Sequence, residues 1–179
     1  MMLQISHRES HDIDIFLSDA QQLGFLSPDK RDFQFEILPS EYNGDGASYL
    51  KLAFESIGEI DFIVGHAMTA TPTVRRKIEG RSVLLETVPE IIAKKIYYRG
   101  ASIKPRDIFD IAAGAEQHEG EIVTALGDYK AAVTKTLQTM SKLNPTFVAA
   151  SIASLAIKEE YSKVASTAFQ RAKEVLLTV

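Results

Sequence analysis

The sequence predicts an α+β fold, with a mixed β-sheet in the first half and helices in the second. Two observations carry this. Polar and apolar residues alternate at period two in three stretches between residues 12 and 64. From residue 88 onward the apolar residues recur at helical spacing instead. A third, the turn signals Ser27-Pro28 and Asn43-Gly44-Asp45-Gly46, punctuates the first half.

Residues 12–17, DIDIFL, read as a half-buried strand with Ile13, Ile15 and Leu17 on the core side. Residues 18–25 read as a short helix with Ser18 as N-cap. Residues 33–38, FQFEIL, alternate again and predict a strand. Residues 48–55 and 59–64 predict two strands joined by a tight turn at Ser56-Ile57-Gly58. In the second, Ile60, Phe62 and Val64 share one face while Glu59 and Asp61 take the other. Residues 82–86 predict a short further strand.

Helices follow. Residues 88–99 read as one, with Pro89 in its first turn. Pro105 suits N1 of the next, which is expected to run to about Gln117. Residues 119–141 predict one or two helices with a break at Gly127-Asp128. Asn144-Pro145 makes an N-cap and N1 pair that opens a helical stretch to the C-terminus. There Tyr161, Val164, Ala165, Ala168, Phe169, Ala172 and Leu176 form an apolar stripe.

The 179 residues suit one domain, or one domain with a helical extension. Without cysteine, neither a disulfide framework nor a cysteine zinc site can form. The opening lacks a secretory signal, and no apolar run reaches the length of a membrane span. The expected location is therefore the cytoplasm. The net charge is −4, yet Arg75 to Arg106 holds nine Lys or Arg against three acids. That +6 segment is either an anion-binding face or a solvated surface.

Asp12 and Asp14 are the first chemical candidates. Two apart on a strand, they share a face about 6–7 Å apart and can hold a hard divalent cation between them. Asp61 lies on a second predicted strand, on the face opposite its apolar residues. If the strands are neighbours, three carboxylates converge. Oxygen ligands with a nucleoside triphosphate suit Mg²⁺, with a two-metal arrangement open. Two solvent-facing acidic strands account for the same pattern.

Glu90 and Lys94 stand at i,i+4 and can pair on a surface. Lys95 lies about 100° further round and needs another partner, which a phosphate can be. In Arg106-Asp107-Ile108-Phe109-Asp110, Ile108, Ile111, Ala112 and Ala115 take the buried side. Asp107 falls at N3, where an acid favours the helix dipole. Asp110 has no such reason, and a nearby cation is expected, Lys95 or Arg106. His7, His11, His66 and His118 form no metal-binding pattern in a suitable element.

Taken in order, these segments resemble the AbiEii/AbiGii toxin-like nucleotidyltransferases, a branch of the polymerase-beta-like superfamily. The family's R-x-S-x-D-I-D matches Arg8, Ser10, Asp12, Ile13 and Asp14. Its third Asp matches Asp61. A P-E-x-x-x-A-x-K-like helix matches Pro89 to Lys95 with one residue fewer. Its R-D-x-x-D matches Arg106, Asp107 and Asp110. The resemblance runs from Arg8 to about Ala112.

It implies a nucleotidyltransferase-like domain over residues 1–117 and a C-terminal helical region over 118–179. The implied reaction moves a nucleoside monophosphate from an NTP to an acceptor. Asp12, Asp14 and Asp61 would hold Mg²⁺, and Asp61 would alternatively take the acceptor's proton. Arg8, Ser10, Lys95 and Arg106 would contact the nucleotide, with Asp107 and Asp110 orienting the cations. Family members act as toxins beside an antitoxin in phage defence, and some modify RNA acceptors such as tRNA.

In the family a Gly-Gly or Gly-Ser turn precedes the first strand and cradles the triphosphate. Here seven residues precede Arg8 and none supplies that turn. Residues 3–6 are then the expected remnant of a strand. Two readings stay open: an active Mg²⁺-dependent toxin, and a non-catalytic binding or regulatory protein of the same fold. An unrelated α+β interaction domain is the third.

Overall fold

The computed structural model describes residues 1–28 and 35–179. Two compact units divide the chain: Ser10–His66, and Met1–Glu9 together with Ala67–Val179. The chain thus passes between them twice, at residues 9–10 and 66–67.

The first unit is a four-stranded mixed sheet in the order β1-β4-β3-β2. The strands are β1 (Ile13–Leu17), β2 (Glu41–Gly44), β3 (Tyr49–Phe54) and β4 (Gly58–Val64). β1 runs parallel to β4, and the other pairs are antiparallel. Period-two alternation sorts the faces. Ile60, Phe62 and Val64 of β4 pack with Leu50, Leu52 and Leu17 against Leu23 and Leu26 of the short helix α2 (Leu23–Leu26). The turn before β4 needs Gly58. Its φ is +145°, and a Cβ there would stand 2.3 Å from the His11 carbonyl oxygen.

Several expectations shift here. Ile13 and Ile15 have the expected phase, opposite Ile60 and Phe62, but remain 55 % and 38 % exposed. Among the described residues, the Leu17 end of β1 joins the apolar cluster. The 3₁₀ turn Ala20–Gln22 that leads into α2 is capped by Asp19, whose Oδ1 accepts from Gln21 N at 2.8 Å, rather than by Ser18. Of the strand expected at 33–38, residues 33 and 34 lie outside the described residues, and 35–38 are not strand. The strand forms instead at β2, just before a turn in which Asp45 Oδ1 accepts from three amides, Ala47, Ser48 and Tyr49.

The second unit begins with α1 (Met2–Ile5), so residues 3–6 are helix and its cap, not a strand remnant. It continues with a hairpin, β5 (Thr73–Ile78) and β6 (Arg81–Glu86). Five helices follow: α3 (Val88–Arg99), α4 (Pro105–Leu126), α5 (Lys130–Met140), α6 (Pro145–Ala153) and α7 (Ser162–Leu177). The hairpin turns on Glu79-Gly80, both at positive φ, as a two-residue turn between twisted strands requires. Thr87 and Asn144 cap α3 and α6, accepting from Glu90 N and from Thr146 N and Phe147 N.

The helices bury one core. Ile92 and Ile96 of α3 meet Ile108, Ile111 and Ile122 of α4, with Val148, Ile152 and Leu176 beyond. Ala112 and Ala115 of α4 and Ala168 and Ala172 of α7 are small, which lets helices approach closely. The expected boundary at 117/118 coincides with a kink, since His118 has φ −133° and ψ 23°. It does not divide compact units, because α4 runs through it and packs with α7 in one core.

Candidate active site

In the sheet unit the chemistry lies on the face opposite the apolar cluster. Asp14 and Asp61 are register partners across the parallel strands β1 and β4. Partners on neighbouring strands stand about 4.8 Å apart and point the same way. Lys51 on β3 is Asp61's partner on the other side. Its Nζ bonds Glu59 and lies 3.6 Å from Asp61 Oδ1. That oxygen is buried without a hydrogen-bond donor. Burial pushes the Asp61 carboxyl above the usual carboxylate range; Lys51 opposes this, and the charges of Asp14 and Glu59 add to it.

Asp12 stands exposed just ahead of β1. The structure therefore brings Asp14 and Asp61 together as a pair. Among the described residues no three His, Asp or Glu side chains gather to hold a metal ion. Mg²⁺ commonly takes only one or two carboxylates, with phosphate and water oxygens completing its shell. A buried carboxylate oxygen without a donor, beside a second carboxylate, fits such a cation.

The helical unit holds a second cluster. Asp107 and Asp110, one turn apart on α4, are both buried. Lys95 of α3 lies between them, with Nζ 2.8 Å from Asp107 Oδ1 and 3.0 Å from Asp110 Oδ2. Asp107 Oδ2 also accepts from Lys104 N at 3.2 Å, the N3 capping contact its position predicts. Arg8 forks onto Asp110, Nε to Oδ1 at 2.9 Å and Nη2 to Oδ2 at 3.3 Å. His7 Nε2 completes the set at 2.7 Å from Oδ1. Burial alone would raise the Asp110 carboxyl. The His7 hydrogen bond, the Lys95 charge and the Arg8 contacts outweigh it and hold the group well below the usual range.

Two expectations change here. Arg106 is exposed and bonds neither carboxylate. It is four residues before Asp110, but His7, Arg8 and Lys95 already occupy that carboxylate. Glu90 and Lys94 are not a surface pair but are buried. Glu90 accepts from Met68 N, Thr69 N and Thr69 Oγ1, with Lys94 Nζ 3.4 Å away. Ser10 is half-buried at the start of the sheet unit.

His7 was not legible as a partner of Asp110, since the two are 103 residues apart. Its ring stacks on Phe109, with centroids 5.6 Å apart, and meets the edge of Tyr161. A hint lay in its place directly before Arg8 in a stretch whose next chemical residues were already candidates.

A model of the family described as "Nucleotidyl transferase AbiEii toxin, Type IV TA system" matches residues 1–174. The chain belongs to this family. As an AbiEii-family member it carries the nucleotidyltransferase fold expected from its motifs. Among solved structures it is similar to a candidate nucleotidyltransferase from H. pylori, at 16 % identity and a TM-score of 0.44, over 95 % of this chain and 77 % of that one. No curated protein matches it. Among the described residues no helix is long and apolar enough to cross a membrane.

Proposed function

We propose that this AbiEii-family chain transfers a nucleoside monophosphate from an NTP to an acceptor hydroxyl, with Mg²⁺, as the toxin partner of an antitoxin. The acceptor we assign is RNA, such as tRNA. The observation that carries this is the Asp14–Asp61 pair, with Asp61 Oδ1 buried and lacking a hydrogen-bond donor. Bound there, Mg²⁺ would screen the triphosphate's negative charge.

In the reaction a bond forms between the acceptor oxygen and the α-phosphorus. The bond from that phosphorus to pyrophosphate breaks. The acceptor's proton passes to the Asp61 carboxylate, or to solvent where Asp61 serves as the metal ligand. Asp12, exposed beside β1, is a further ligand for the metal or its waters. In the helical unit, Asp107 and Asp110 fix Lys95 and Arg8, the cations that the family's motifs assign to phosphate. Ser10 and the exposed Arg106 are further phosphate contacts.

One observation favours a non-catalytic binding protein of the same fold. Lys95 and Arg8 are already paired with buried carboxylates, which leaves little uncompensated positive charge. Incubation with α-labelled NTPs, Mg²⁺ and total tRNA separates the two. The toxin transfers label to RNA, and Mg²⁺-NTP raises its melting temperature. Absence of both leaves the non-catalytic protein.

A further inference from the structure

The β5–β6 hairpin carries Arg75, Arg76, Lys77 and Arg81, all exposed. The register puts Arg75 and Lys77 on one face of the ribbon and Arg76 and Arg81 on the other. Among the described residues, no carboxylate lies within ion-pair distance of any of the four. Among the described residues, their one side-chain hydrogen bond runs from Arg75 Nη1 to Ser82 Oγ at 3.3 Å. Several cations elsewhere, among them Lys51, Lys94, Lys95 and Arg171, each meet a carboxylate, while others such as Arg106 and Lys130 stand singly among the described residues. What sets the ribbon apart is density: four cations fall within residues 75–81 with Glu79 as the one acid among them, in a protein of net charge −4.

The hairpin's root is tied down while its length is exposed. Thr87 N and Oγ1 bond the carbonyls of Pro72 and Thr71, closing the base. Glu86, the last residue of β6, pairs with Lys94, the neighbour of Lys95 on α3. Six residues per strand make an arm of about 20 Å. The arm has no aromatic residue to stack on a base.

We propose that this hairpin binds the phosphate backbone of an RNA acceptor strand, holding it without reading its bases. Cations on both faces suit a flexible strand that can wrap a ribbon. The choice of RNA over DNA rests on the nucleotidyltransferase function proposed above. Placement of the arm next to the helix that carries Lys95 is consistent with it, because both lie in one compact unit.

The test is fluorescence anisotropy of labelled total tRNA and of a labelled 20-nucleotide RNA, titrated with the full chain in rising salt. Four phosphate contacts give a log–log salt slope of about −3, or roughly 50-fold weaker binding between 50 and 200 mM salt. The variant R75Q/R76Q/K77Q/R81Q is expected to lose most of the affinity and flatten that slope. Circular dichroism checks that it folds. Should it not fold, Arg76→Glu and Lys77→Glu are made singly, each expected to weaken binding several-fold. Undiminished RNA binding by the folded quadruple variant, or by both single variants, overturns the proposal. So does equal binding of duplex DNA of the same length. Binding requires no catalysis, so the outcomes are separable. RNA binding that depends on the hairpin but without label transfer refutes the enzyme alone. Label transfer with RNA affinity intact in the quadruple variant refutes the hairpin alone.

Discussion

Asp14 on β1 and Asp61 on β4 face each other across parallel strands, and Asp61 Oδ1 has no hydrogen-bond donor. Exposed Asp14 and half-buried Asp61 carry like charge, and among the described residues Lys51 is the cation that offsets it. Removing one should therefore relieve repulsion in the metal-free protein. Asp61→Asn is expected to melt at or above the wild-type temperature without Mg²⁺, and to gain nothing when Mg²⁺ and an NTP are added. Scanning fluorimetry with and without Mg²⁺-NTP reads both effects. A variant that melts well below wild type in the metal-free state would mean that the pair is structural.

Asp110 gives a pH dependence with a definite sign. Its folded carboxyl is held below the usual range, while an unfolded aspartate titrates near about 3.9. The unfolded chain thus takes up the proton first as pH falls. The contribution is fully present above about pH 5 and is lost as pH drops through the acid range. Asp110→Asn should be less stable at pH 7 and show a flatter decline in melting temperature between pH 5 and pH 3. A parallel decline in both proteins contradicts this.

Glu90 is buried and satisfied by two amides, a hydroxyl and Lys94. Glu90→Ala leaves Lys94 near a hole and strands the amides of Met68 and Thr69. A loss of about 3–5 kcal/mol is expected, read as a lower urea midpoint. A change under about 0.5 kcal/mol, the size of a neutral surface substitution, would show that Glu90 does not hold this segment.

Gly100 follows α3, and a Cβ there would stand 2.1 Å from Thr136 Oγ1 on α5. That hydroxyl is committed to Ala132 O at 2.8 Å. Gly100→Ala should cost about 1–3 kcal/mol by overpacking. Pairing it with Thr136→Ala should recover part of the loss in a double-mutant cycle. Strict additivity would mean the two residues do not meet.

Much of this was legible because it is local. The 3.6 period fixed the buried side of α4, and Pro105 placed Asp107 at N3. Period two gave the faces of β3 and β4, and so the side on which Asp61 stands. What failed depends on distant chain. The burial of Ile13 and Ile15 requires a cover from elsewhere in the chain, and among the described residues the apolar cluster takes in Leu17 of that strand. β5 escaped because Arg75-Arg76-Lys77 interrupts any alternation, and its pairing with β6 outweighs that. Asp110 plainly needed a cation, and of the two candidates Lys95 and Arg106 it takes Lys95; nothing in the sequence pointed to His7 or Arg8 as its partners. The partners are Lys95 from α3 and His7 and Arg8 from the N-terminal segment.

The central claim is that Asp14 and Asp61 hold the metal for nucleotidyl transfer. Its most direct test is the rate of label transfer from α-labelled NTP to total tRNA, by wild type and by Asp61→Asn, with and without EDTA. Wild type should transfer label, EDTA should abolish transfer, and Asp61→Asn should be slower by about 10²-fold or more. Transfer that survives EDTA, or that Asp61→Asn leaves undiminished, would contradict it.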